Sequence, residues 1–182
     1  MPIVDVYGHL SQRVIDIARK HVKQIGRCFR DPQYQGDDKK DWANHFGGYF
    51  CLMDNKTGLI LLATYIGDPA QFKMPKYARL APEKVFRVFN NPQIRTSWDN
   101  RDDAKEWYPG AVRGIRYIYG FSGYPPHGDT LVSACVAEEI EHLTLDLDAR
   151  LEPEMWISPG DNQARDAAVV YARYLQAVEA GV

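Results

Sequence analysis

The chain has 182 residues, 45% apolar and 25% charged, with 22 basic side chains against 24 acidic ones and a formal net charge of −2. This is an ordinary globular composition, long enough for a single domain with a real core. It offers no basic excess for nucleic acid and no run of about 18 apolar residues for a membrane span.

The opening Met-Pro-Ile-Val-Asp-Val has neither a charged n-region nor a long apolar segment, so no signal peptide is expected. Three cysteines, Cys28, Cys51 and Cys135, lack CxxC spacing, which argues against a disulfide framework or a structural zinc site. The cytoplasm is the expected compartment.

After a lead-in over residues 1–10, residues 11–25 read as a first helix. Ser11 can cap it, Val14, Ala18, Val22 and Ile25 recur at the spacing of one buried face, and Gly26 is a natural stop. Residues 27–48 read as a loop broken by Pro32, Gly36, Gly47 and Gly48, with a solvated charge cluster at 37–41. Within it Trp42 and Phe46 flank His45, an arrangement that either lines a pocket or anchors a long loop on the core. Residues 49–53 and 59–66 form a hairpin around Asp54-Asn-Lys-Thr-Gly58. Residues 70–80 read as a connection. Pro82 then suits the first turn of a helix reaching about residue 90, with Val85, Val88 and Phe89 on its apolar face. Residues 93–109 are loop-like and carry Trp98, Trp107 and Tyr108.

The most chemically suggestive stretch follows. Ile115, Tyr117, Tyr119 and Phe121 alternate as in a strand, Ser122-Gly123 ends it, and Pro125, Pro126 and Gly128 hold a turn. Asp129 stands where a helix N-cap is expected, and Val132, Val136, Ile140 and Leu143 stripe the helix beyond it. The tail, residues 146–182, reads as an extended arm over 151–157 carrying Trp156. A last helix over 162–180 follows, with Ala164, Ala168, Tyr171, Leu175 and Val178 inward. Hairpins and helices without strict βαβ alternation predict an α+β domain with a core over about 10–145, its antiparallel sheet carrying helices on one or both faces.

The strand–loop–helix junction brings backbone N–H groups, a hydroxyl, an imidazole and a carboxylate together, so the ligand-binding candidates are Arg113, Arg116, Ser122, His127 and Asp129, with His45 beside them. An arginine on the strand could hold a carboxylate bidentately, and His127 could serve as acid or base. Ser122 lacks the second glycine of a nucleophile elbow, since Tyr124 occupies that place, and Ser122, His127 and Asp129 are close in sequence for a triad. Glu138, Glu139 and His142 share a helical face, but a carboxylate-bridged metal site needs two such helices; no metal is expected.

Four of these segments resemble the GlcG/HbpS-like family of small haem-binding and related proteins, a domain found also at the C-terminus of some cobalamin adenosyltransferases. They are the amphipathic helix over 11–25, Cys51-Leu-Met-Asp54-Asn-Lys-Thr-Gly58-Leu-Ile60, Ala81-Pro-Glu-Lys84-Val-Phe, and Gly120-Phe-Ser122-Gly123 followed by Asp129. The resemblance implies a profilin-like fold, homo-oligomers, haem as the leading cofactor and a supporting role beside catabolic enzymes. Two readings stand beside it: an enzyme isomerising or hydrolysing a small anionic oxo-acid, and a non-catalytic sensor or scaffold. All three share a small-molecule ligand and involve neither nucleic acid nor membrane.

Overall fold

The computed structural model describes residues 6–32, 45–142, 170, 172–178 and 180. Its elements are helix α1 (Val6–Cys28), strands β1 (Gly47–Asp54) and β2 (Ile60–Gly67), helix α2 (Met74–Phe89), strands β3 (Ala111–Arg113) and β4 (Tyr117–Ser122), and helix α3 (Pro126–Glu141). Residues 172–178 are helical as well. The strands form one antiparallel sheet in the order β2-β1-β4-β3. Helices cover both faces, so the fold is α+β, as the element pattern predicts. No helix among the described residues is long and apolar enough to cross a membrane.

Alternation along the strands divides the core between the two faces. Phe50, Leu52, Val112, Tyr119 and Phe121 pack with α1 and α3. Cys51, Met53, Ala111 and Ile118 point the other way, onto Ala81, Val85 and Val88 of α2. Gly120 lets α2 come close: an added Cβ there would lie 2.5 Å from Val85 Cγ1.

Helix α1 buries the expected stripe of Val14, Ala18, Val22 and Ile25. It runs further at both ends than the 11–25 reading, leaving Ser11 inside rather than capping. Gly26 does not stop it. That glycine is a packing residue, because a Cβ would fall 2.6 Å from both Phe46 Cδ1 and the Tyr124 hydroxyl.

The first hairpin forms as read. The Asp54 carboxylate accepts the N–H groups of Lys56 and Thr57 and the Thr57 hydroxyl, and Gly58 takes φ +73°.

The largest correction concerns α2. Residues 74–80 are helix rather than connection, and Pro82 lies in the helix interior. An interior proline costs about 3 kcal/mol by removing one backbone bond and crowding the preceding turn. Tyr77, Leu80, Ala81, Val85 and Val88 are all buried, and at about 1.5–3 kcal/mol for each large apolar side chain the packing outweighs that cost.

Helix α3 is also buried almost all round, from His127 to Ala137 and at Ile140, rather than along one stripe. It lies between α1, the sheet and the C-terminal helical residues, of which Val170 and Tyr174 join the core. Leu175 and Val178, read as inward, are exposed. Trp42, the charge cluster at 37–41 and the arm with Trp156 lie outside the described residues.

Candidate functional site

Where β4 ends and α3 begins, the chain holds a buried ion pair. Lys84 Nζ lies 2.7 Å from Asp129 Oδ2, and their side chains are 1% and 4% exposed. Lys84 also donates to the Phe121 carbonyl at 3.0 Å. The other oxygen of Asp129 accepts the N–H groups of Gly123 at 2.9 Å and Tyr124 at 2.7 Å.

Asp129 is therefore not the N-cap of α3, a place taken by Pro125. It sits one turn into the helix and folds back to hold the strand–helix loop. Gly110, at φ +138°, is required here, since a Cβ would come within 2.7 Å of Lys84 Nζ and 2.8 Å of Asp129 Cβ.

Burial pushes the Asp129 carboxyl up to about 6, with Lys84 and the two N–H groups opposing. Burial likewise pulls the Lys84 ammonium below its usual range, against the attraction of Asp129.

The pair forms the floor of a cavity of about 340 Å³. Ser122, Tyr77, Tyr124 and Pro126 are among its walls, and Lys73, Lys76, Arg101, Asp103 and Tyr108 line it further. Four cations thus face two carboxylates. Lys76 lies over the Tyr108 ring at 5.4 Å, and Arg101 Nη2 pairs with Asp103 at 2.6 Å.

Of the six candidates read from sequence, Ser122 and Asp129 line this cavity and the other four do not. Arg113 is structural: its guanidinium donates to the carbonyls of Val88, Asn91 and Ile94 and to the Asn55 side chain, tying the end of α2 to the sheet. Arg116 is exposed in the β3–β4 turn, at the opposite end of β4, over the Tyr117 ring.

His127 is a core residue, 6% exposed, with its ring 5.9 Å from that of Phe29, and burial lowers its pKa to about 4. Asp129 is engaged by Lys84 and two backbone amides, so no Ser122–His127–Asp129 relay is assembled. His45 is half-buried just before β1, and its Nδ1 has no partner among the described residues. Beside it Phe46 lies under the Arg30 guanidinium at 4.3 Å.

The residues missed by sequence reading are Lys73, Lys76, Lys84, Arg101 and Tyr108. Lys84 stood in the sequence only as part of a resemblance. Its signal was a lysine within the apolar face of α2, one residue before Val85 and four before Val88.

A second polar cluster lies beside α1. His21 of α1 is buried, with Nε2 3.0 Å from Glu139 Oε2 and Nδ1 3.1 Å from the Tyr174 hydroxyl. Glu139 is taken up by this histidine and by Lys20 at 3.0 Å. Among the described residues no three of His, Cys, Asp and Glu gather as a metal centre would require. Burial holds the thiols of Cys51 and Cys135 up at about 12 and that of Cys28 at about 11, and none is in a disulfide.

The fold and site define an α+β domain with a desolvated lysine–aspartate pair beneath a cation-lined cavity. No protein-family model matches the chain, and neither does any curated protein or solved structure.

Proposed function

We propose that the protein binds a small organic anion in the cavity above the Lys84–Asp129 pair. The observation that carries this reading is the pair itself. A lysine with a 1% exposed side chain forms part of a cavity wall, and burying such a pair is expensive. The Asp129 carboxylate organises the Gly123–Tyr124 backbone, and the lysine puts positive charge at the floor. Lys73, Lys76 and Arg101 add more around the opening, so an anion entering the cavity meets an attractive field in a partly water-excluded space. The volume suits a ligand at the small end of the usual range, about 300–1,000 Å³.

Nothing in this cavity supports haem, the cofactor implied by the resemblance: no histidine or cysteine lines it, His127 packs in the core, and the Tyr124 hydroxyl donates to the Val22 carbonyl. A cytoplasmic homo-oligomer remains part of the proposal. It is supported by three free cysteines and by the exposed apolar side chains Leu59, Phe72 and Ile115, and light scattering reads the oligomer directly.

The test is calorimetric titration of the purified chain with acetate, pyruvate and inorganic phosphate, repeated on Lys76→Ala. Saturable binding weakened roughly threefold in the variant, the ~0.7 kcal/mol of a half-exposed ion pair, is expected. Absence of saturable binding by all three anions overturns the reading.

A further inference from the structure

We infer that Lys84 is a Schiff-base-forming lysine, and that the anion received by the cavity is a small 2-oxo carboxylate whose carbonyl carbon it takes covalently. The inference rests on the anion-binding reading above and adds a bond to it.

The geometry supplies what imine chemistry needs. The amine must be held away from bulk water, and Lys84 is buried in the middle of α2. It needs a partner that can take and return a proton, and Asp129 Oδ2 lies 2.7 Å from Nζ. It needs an approach for a carbonyl, and the cavity reaches both members of the pair. The substrate needs a grip remote from the reacting atom, and Lys73, Lys76 and Arg101 offer one for a carboxylate next to the carbonyl.

The electrostatics agree. The same burial that depresses the Lys84 ammonium raises the Asp129 carboxyl, so passing the proton from Nζ to Oδ2, which yields a neutral amine and a neutral acid, is easier here than in water. The amine nitrogen then adds to the carbonyl carbon, and its π electrons move to oxygen, which takes the proton from Asp129. Asp129 then takes a second proton from the nitrogen and returns it to the hydroxyl, which leaves as water and gives an iminium ion. Overall, lysine ammonium plus ketone gives iminium plus water. The charge on the lysine nitrogen is +1 before and after, so the Asp129 carboxylate faces a cation at the start and at the end. Its hold on Gly123 and Tyr124 through Oδ1 keeps the carboxylate in place during the exchange.

The test is reductive trapping of the wild-type chain with pyruvate and sodium cyanoborohydride, whose hydride converts an iminium to a stable secondary amine. Intact mass and peptide mapping read the product, with lactate, which has no ketone, as the control. Calorimetry on the same samples measures pyruvate binding. One adduct per chain is expected, mapped to Lys84, dependent on both pyruvate and reductant and absent with lactate. Lys84→Arg, which keeps the cation but has no primary amine, should lose it. Pyruvate binding without an adduct at Lys84, or with adducts scattered over exposed lysines such as Lys73 and Lys76, overturns the covalent step and leaves the anion site standing. Neither pyruvate binding nor an adduct overturns the covalent inference, and the anion site falls with it when acetate and phosphate also fail to bind. Mapping on the wild-type chain keeps the test decisive even if the arginine variant does not fold.

Discussion

Helix α3 carries a carboxylate near each end, and each folds back onto a turn at one end of β4. Glu141 accepts the N–H groups of Ile115, Arg116 and Tyr117 and the Tyr119 hydroxyl at 2.8–3.2 Å. Asp129, about 18 Å away along the helix axis, accepts the N–H groups of Gly123 and Tyr124. As turn clamps the two are alike. They differ in what surrounds them. Glu141 is half-buried and its partners are neutral donors. Asp129 is buried and faces a buried lysine across the floor of a cavity. A turn needs only the first arrangement. The second carries a desolvation cost that turn-holding does not explain, and the proposed anion site rests on that excess.

The comparison breaks most visibly at Lys84. Lys84→Met leaves the Asp129 charge buried without its cation, and should cost about 3–5 kcal/mol, read as a fall in the urea midpoint at unchanged slope. Adding Asp129→Asn, which keeps an oxygen for Gly123 and Tyr124, should recover part of that loss, so the double-mutant cycle is non-additive. Equal costs at Lys84 and at Glu141 would erase the distinction.

The next effect is one of pH. Burial lowers the folded pKa of His127 from 6.5 to about 4. A depressed base stabilises the fold above its unfolded pKa, and that contribution is lost as pH falls from 6.5 through about 4. His127→Leu should therefore gain on the wild type by about 3 kcal/mol across that window. Comparing the two chains by urea unfolding removes the opposing contribution of Asp129, whose folded pKa is raised. A pH-independent difference would put a charged, solvated imidazole at 127.

At the other end of α3, Glu141→Gln keeps an acceptor and loses the charge, and should cost about 1 kcal/mol with anion affinity unchanged. Smallest in stability is Lys73→Ala, expected within about 0.5 kcal/mol of the wild type. Its effect belongs on binding, as a several-fold loss of anion affinity in the same titration.

The two ends of α3 also show what was legible in the sequence. Strand alternation placed β4 and the Ser122–Asp129 junction, and both residues line the cavity because local chain geometry alone brings them there. Lys84 arrives from 45 residues away in sequence. Its own segment was misread because Pro82 signals a helix start, whereas the apolar contacts of Tyr77 and Leu80 carry the helix back to Met74. Arg113 and His127 have the right chemistry for a site, and tertiary packing put it to other use. One ties α2 to the sheet, and the other fills the core against Phe29. Lys73, Lys76 and Arg101 are ordinary surface residues in sequence, and only the fold gathers them.

The most direct test of the central claim is amide chemical-shift mapping on titration with pyruvate. The Lys84–Asp129 site predicts saturable shifts centred on Gly123, Tyr124 and Lys84, with Ile115, Arg116 and Tyr117 unmoved. Shifts confined to the Glu141 end of α3, or no saturable shift at Gly123 and Tyr124, would contradict it.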